Sequence, residues 1–150
     1  MKNAVVSILM KRFNPCSSIG SQSMNSEERD FMFIGHINDV AKEDIPVEGI
    51  KGTKIQWLLG PKNDLPHFYM RLVTLEPGGV IPLHDHEIIH EMFIVKGKGA
   101  VLHEDGETPF EQGNFIYMPT MEIHGTKNTG DEDLQFICCI NKAESPSYKK

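Results

Sequence analysis

Three histidines fall within seven residues, His84, His86 and His90 in the run HDHEIIH, and a fourth, His124, follows in MEIHG. Imidazole is the commonest protein ligand for first-row transition ions, so a cluster this dense points to a metal centre. On a β-strand, residues two apart face the same way, which would aim His84 and His86 together and turn Asp85 outward. A straight strand rising about 3.3 Å per residue would carry His90 roughly 13 Å past His86, so the chain must bend between them. His124 must then arrive on a neighbouring strand, and the four imidazoles meet only in the folded domain. His36, His67 and His103 stand apart from this pattern and are read as surface or locally satisfied residues.

The elements that would position these residues are short strands broken by turns. Apolar and β-branched runs predict strands at Phe31 to Ile34, Lys54 to Leu59, Phe68 to Leu75, His90 to Val95, Ala100 to His103, Asn114 to Met118, Gly125 to Asn128 and Leu134 to Ile140. Gly60-Pro61, Pro77-Gly78-Gly79, Asp105-Gly106 and Gly130-Asp131 separate them, and Asp105-Gly106 is a two-residue hairpin signal. Helical signal is confined to a short stretch around Ile37 to Ala41. Many short strands at this spacing predict an all-β antiparallel sandwich or barrel.

The spacing of particular residues also resembles the two motifs of the cupin family. Gly78, five residues, His84-x-His86, four residues, Glu91, five residues and Gly97 are similar to the first motif, which usually has six residues before its last glycine. Gly113, five residues, Pro119, four residues, His124, three residues and Asn128 are similar to the second, with Met121 where glycine is usual. The resemblance covers roughly residues 54 to 141, with the motifs at 78–99 and 113–128. It implies a cupin jelly roll, an antiparallel double-stranded β-helix. Many cupins use three histidines and the glutamate, here Glu91, as ligands. A subgroup with HxHxxxHExF resembles this chain more closely and uses four histidines, here His84, His86, His90 and His124, to bind manganese or iron. His90 and Glu91 are strand neighbours that face opposite ways, so only one of them can be a ligand. Apolar Met92 to Val95 does not fix which, and the resemblance favours His90, leaving Glu91 as the alternative ligand or as a carboxylate that orients an imidazole.

Four neutral imidazoles leave a divalent ion its full charge and, in octahedral geometry, two positions for other ligands. Manganese or iron would be redox-competent, and zinc, nickel and copper also suit the donors. The leading expectation is a metal-dependent oxygenase of dioxygenase type acting on a small organic molecule. Phe115, Tyr117, Phe136 and Ile140 are expected to line its pocket or pack in the core. A sugar isomerase or epimerase is an alternative and would need an acid or base at the metal, for which Glu91, Glu122 and Tyr117 are the candidates. A non-catalytic cupin that binds or senses a small ligand is the other.

Composition bounds these readings. With 150 residues, 39% of them hydrophobic and 24% charged, the chain can bury one substantial core. A net charge of −6 without a basic cluster argues against nucleic acid or anionic membrane as partner. Cys138 and Cys139 are adjacent in FICCI and face opposite ways, so they do not bridge each other; with Cys16 they fit a reducing, cytoplasmic setting. Residues 1–26 differ from the rest. An apolar stretch from Ala4 to Met10 is flanked by Lys2, Lys11 and Arg12, and serines follow with no acid before Glu27. The stretch is too short to span a bilayer. It is expected to be a mobile extension to a single domain at 27–150, with an organelle-targeting role left open. Small cupins often pair through sheet edges, so a homodimer is expected.

Overall fold

The computed structural model describes residues 32–142. The region proposed as an N-terminal extension, with Cys16, lies outside them, and from Phe33 on the described residues belong to one compact unit. Nine strands are formed there: β1 (Glu43–Asp44), β2 (Lys51–Leu59), β3 (Phe68–His84), β4 (His90–Lys96), β5 (Lys98–His103), β6 (Gly106–Glu111), β7 (Phe115–Met118), β8 (His124–Asn128) and β9 (Leu134–Asn141). The described residues hold no α-helix; two single turns of 3₁₀ helix lie at Ile37–Asp39 and Pro61–Asn63. The strands run in the order β6-β5-β8-β3-β9-β4-β7, with β2 also on β3 and β1 on β2, and every pairing is antiparallel. This is the predicted all-β class, curled as a jelly roll.

The key element is β3. Pro77-Gly78-Gly79, expected to end a strand, instead forms a bulge within a 17-residue one. Residues 68–75 of β3 pair with β9, and beyond the bulge Val80, Ile81 and His84 pair with β8, so one strand serves both halves of the barrel. Glycine is required at the bend. Gly78 has φ +76°, and a Cβ on Gly79 would stand 2.8 Å from the Gly52 carbonyl oxygen, because β2 crosses there with its own register shift. Asn128 at the end of β8 fastens the bend: its Nδ2 donates to Leu75 O (2.9 Å) and Glu132 O (2.7 Å).

Alternation along the strands builds the interior. Tyr69, Val73 and Leu75 of β3, Met92 and Ile94 of β4, and Leu134, Phe136, Cys138 and Ile140 of β9 are buried in one cluster. Leu75, Ile94 and Leu134 are completely buried, each contributing about 1.5–3 kcal/mol of apolar transfer energy. The opposite face of β2 is covered locally, where Gln56 Nε2 donates to the carbonyls of Ile37 (3.1 Å) and Val40 (2.7 Å).

Two sequence expectations need correction. Met32 to Ile34 form no strand. Conversely, β6 is implied by the Asp105-Gly106 hairpin signal but absent from the strand runs, because Pro109 interrupts its pattern; it is a terminal strand of the sheet, where the N–H that proline lacks is not needed for pairing.

Candidate metal centre

Strand pairing brings two of the four histidines together directly. His84 at the end of β3 is the register partner of His124 at the start of β8. His86 lies beyond the strand in the loop from Asp85 to Ile89, so the expected continuous strand through both residues is not what aims it. Its backbone is held by Met121, whose N–H donates to His86 O (2.8 Å). The loop supplies the predicted bend, and His90 then opens β4 opposite Met118 and Ile140.

The ring centroids of His84 and His124 are 4.6 Å apart, those of His84 and His86 5.2 Å, and those of His86 and His124 5.0 Å. One ligating nitrogen from each of these three can be chosen so that all lie within 4.8 Å of one another. Two imidazole nitrogens on one ion, each at about 2.1 Å, are at most about 4.2 Å apart, so small side-chain rotations would close the set. His90 is not in that triplet. Its ring stacks on His86, 4.6 Å between centroids and 20° between planes, and is 5.4 Å from His124.

The hydrogen bonds fit a metal. His84 Nδ1 meets Pro82 O at 2.9 Å and His124 Nδ1 meets Glu122 O at 2.7 Å; donation to these carbonyls leaves each Nε2 with its lone pair. His124 Nε2 is buried and has no hydrogen-bond partner, a costly state for a polar atom unless something else binds it. Burial also holds His86, His90 and His124 below the ordinary imidazole pKa. His90 is pushed down to about 2, by burial first and then by the positive charge of Arg71 and the neighbouring imidazoles. Neutral imidazole is the ligating form.

The alternation expected at His90 and Glu91 is realised, with His90 buried and Glu91 exposed. Glu91 pairs with Tyr117 on β7 and Cys139 on β9, on the outer face of the sheet. The register thus places both Glu91 and Tyr117 on the face away from the imidazoles. Glu122 reaches the centre through its carbonyl, and its exposed carboxylate favours the charged form of His124 against the larger effect of burial. Among the expected pocket residues, Phe136 lines the cavity and Ile140 is buried in the core, whereas Phe115 and Tyr117 are on the outer face. His36 caps a 3₁₀ turn, His67 is exposed, and His103 bonds Thr108 Oγ1 at 2.8 Å; all three are outside the cluster.

A cavity of 370 Å³ opens beside the four histidines. Arg71 was not anticipated there. Its place was legible in the alternation Tyr69, Arg71, Val73, Leu75, which puts a guanidinium on the inward face of an otherwise apolar row. It is buried, lies 5.7 Å from the centre of the Trp57 ring, and its Nη2 is 3.7 Å from Cys138 Sγ. Cys139, on the other face, has its thiol pKa raised, chiefly by burial.

A curled antiparallel barrel with a histidine cluster inside one end defines the class of protein. Residues 71–140 match the cupin domain, and this part of the chain is identified as a cupin domain. It is 37% identical over 69 residues to the oxalate-binding protein of Thermotoga maritima, covering 45% of this chain and 57% of that one. It is 36% identical over 72 residues to the oxalate decarboxylase OxdC of Bacillus subtilis, covering 44% of this chain and 19% of that one. These alignments span less than two thirds of either relative. Among solved structures, the polyketide cyclase RemF of Streptomyces resistomycificus superposes with a TM-score of 0.70 at 24% identity, over 74% of this chain and 80% of that one, a likeness of fold.

Proposed function

We propose that the protein binds one divalent transition ion through His84, His86 and His124 with His90 as a fourth imidazole, and that the loaded centre is a metal-dependent oxygenase for a small organic molecule. The observation that carries this reading is the buried, unpartnered Nε2 of His124, one of three histidines whose ligating nitrogens lie within 4.8 Å of one another. A bound manganese or iron ion would supply a Lewis-acidic, redox-competent centre with positions open to oxygen donors. The chain's own contribution is to keep the imidazoles neutral, to fix His84 and His124 through the carbonyls of Pro82 and Glu122, and to surround the centre with apolar walls that limit water. Relatives named for binding or decarboxylating oxalate support an oxygen-donor acid as ligand.

Elemental analysis of purified protein, followed by oxygen uptake against small acids and phenols, tests this. About one metal per chain and uptake that disappears in His124→Ala together with the metal are expected. Tight ligand binding without turnover would support the binding-cupin alternative. The isomerase alternative is weaker, because Glu91 and Tyr117, two of its three acid–base candidates, face away from the centre.

We further place residues 27–150 in a single domain and the protein in the cytoplasm as a homodimer. Cys138 and Cys139 are free, and among the described residues no helix is long and apolar enough to cross a membrane. The dimer reading is supported by β7, a terminal strand of the sheet whose Phe115 and Tyr117 are 85% and 62% exposed. The opposite terminal strand, β6, carries Glu107, Glu111 and Pro109, residues that discourage strand pairing. Light scattering should find a dimer that the double variant Phe115→Glu, Tyr117→Glu converts to monomer with metal content unchanged; a persistent dimer would refute this edge.

A further inference from the structure

The cavity beside the histidines is divided in character. Its polar end is made by His84, His86, His90 and His124, with Arg71 on the wall. Apart from Thr126, the rest of the interior lining is apolar: Val73, Met92, Met118 and Phe136 line it from the barrel, and Val47 and Ile50 from the segment between β1 and β2. Its carboxylates are confined to Glu48 and Asp85, both exposed. At 370 Å³ it lies within the range of about 300–1,000 Å³ typical of sites for ligands much larger than a two-carbon acid.

Those facts constrain what can bind. A dicarboxylate as short as oxalate would leave the apolar part of the cavity unfilled and gain nothing from it. An amine would place a cation against Arg71 and a divalent ion. A neutral apolar molecule would not exploit the ion's charge. Resting on the metal reading above, we infer that the preferred ligand is a monocarboxylate with a branched or aromatic body, its carboxylate directed to the histidine-held metal and its body packed against Val47, Ile50, Val73, Met92, Met118 and Phe136. Each buried CH₂ adds about 0.8 kcal/mol, so a body of several carbons should gain at least a factor of ten in affinity over acetate.

Calorimetry on the manganese-loaded full chain tests this, with metal stoichiometry measured separately on every sample. The ligands are 3-phenylpropanoate, 4-methylpentanoate, acetate, oxalate and 3-phenylpropylamine. The two larger acids should bind at least about tenfold more tightly than acetate and oxalate, with no detectable binding of the amine. Val47 is at the rim and 40% exposed, so Val47→Glu can be made without disturbing the core. It should weaken 3-phenylpropanoate about tenfold or more and leave acetate and metal stoichiometry unchanged, while Val47→Leu should retain affinity. Metal-loaded protein that binds oxalate most tightly, or a Val47→Glu variant that binds 3-phenylpropanoate normally, would overturn the inference and leave the metal centre standing. Protein that takes up no metal would overturn both.

Discussion

The two faces of β4 differ sharply in burial. On one side are His90, Met92 and Ile94, all buried; on the other are Glu91 and Phe93, exposed beside Phe115, Tyr117 and Cys139. Seven residues of one strand thus supply both a histidine of the candidate metal centre and an apolar outer surface. The difference shows how little the residue types alone decide. Phe93 and Ile94 are both large and apolar, yet one is 50% exposed and the other not at all. Period-two alternation turns one side to the interior and leaves the other at the surface.

The largest difference between the two faces is expected in the core. Ile94→Ala should cost about 2–5 kcal/mol in chemical denaturation, because the cavity it leaves is lined by residues already packed together. Phe93→Ala, one position along, should cost less than about 1 kcal/mol when measured at protein concentrations where the chain is monomeric. Equal losses would mean that the two faces are not energetically distinct.

Proton linkage gives the next effect. In the unfolded chain His86, His90 and His124 take up protons near pH 6.5, whereas burial holds all three below that value in the folded, metal-free protein. The unfolded state therefore binds more protons in acid. The stability is fully present above pH 6.5 and is lost as pH falls, over a window that for His90 runs down toward about 2. The slope expected from His90 alone is about 1.4 kcal/mol per pH unit. Denaturation of metal-free wild type and His90→Leu between pH 7 and pH 4 should show the wild type losing stability more steeply. Metal release should likewise occur at lower pH than for exposed imidazoles.

The smallest effect belongs to the loop between β7 and β8. Met121 has φ +62°, a left-handed conformation unfavourable for a residue with a Cβ, and its N–H anchors His86 O. Met121→Gly should raise stability by up to about 1 kcal/mol, relief of strain being partly offset by glycine's greater chain entropy. A loss of stability would show that the methionine side chain contributes contacts worth more than the strain.

Much of this arrangement was legible in the sequence. The positions of β2, β4, β5, β7, β8 and β9 followed from apolar runs between turn residues, and the histidine spacing required the bend that the loop after His84 provides. The inward placement of His90 was legible only as a choice, since alternation says that His90 and Glu91 oppose each other without saying which is inside. Other features depended on contacts distant in sequence. Pro77-Gly78-Gly79 reads locally as a turn, but β2 and β8 hold it in the sheet. Phe115 and Tyr117 read as pocket or core residues because hydrophobicity does not reveal which side of an edge strand is covered. Arg71 was visible as an arginine in an apolar row, though its approach to His90 depends on the pairing of β3, β9 and β4.

Metal stoichiometry of His90→Ala and Glu91→Ala, each reconstituted with manganese(II) and analysed with wild type by mass spectrometry under non-denaturing conditions, bears most directly on this assignment of faces. Wild type and Glu91→Ala should each hold about one ion per chain, and His90→Ala should hold its ion at least about tenfold more weakly. Full retention by His90→Ala together with loss from Glu91→Ala would contradict the assignment and place the outer carboxylate, not the inner imidazole, at the metal.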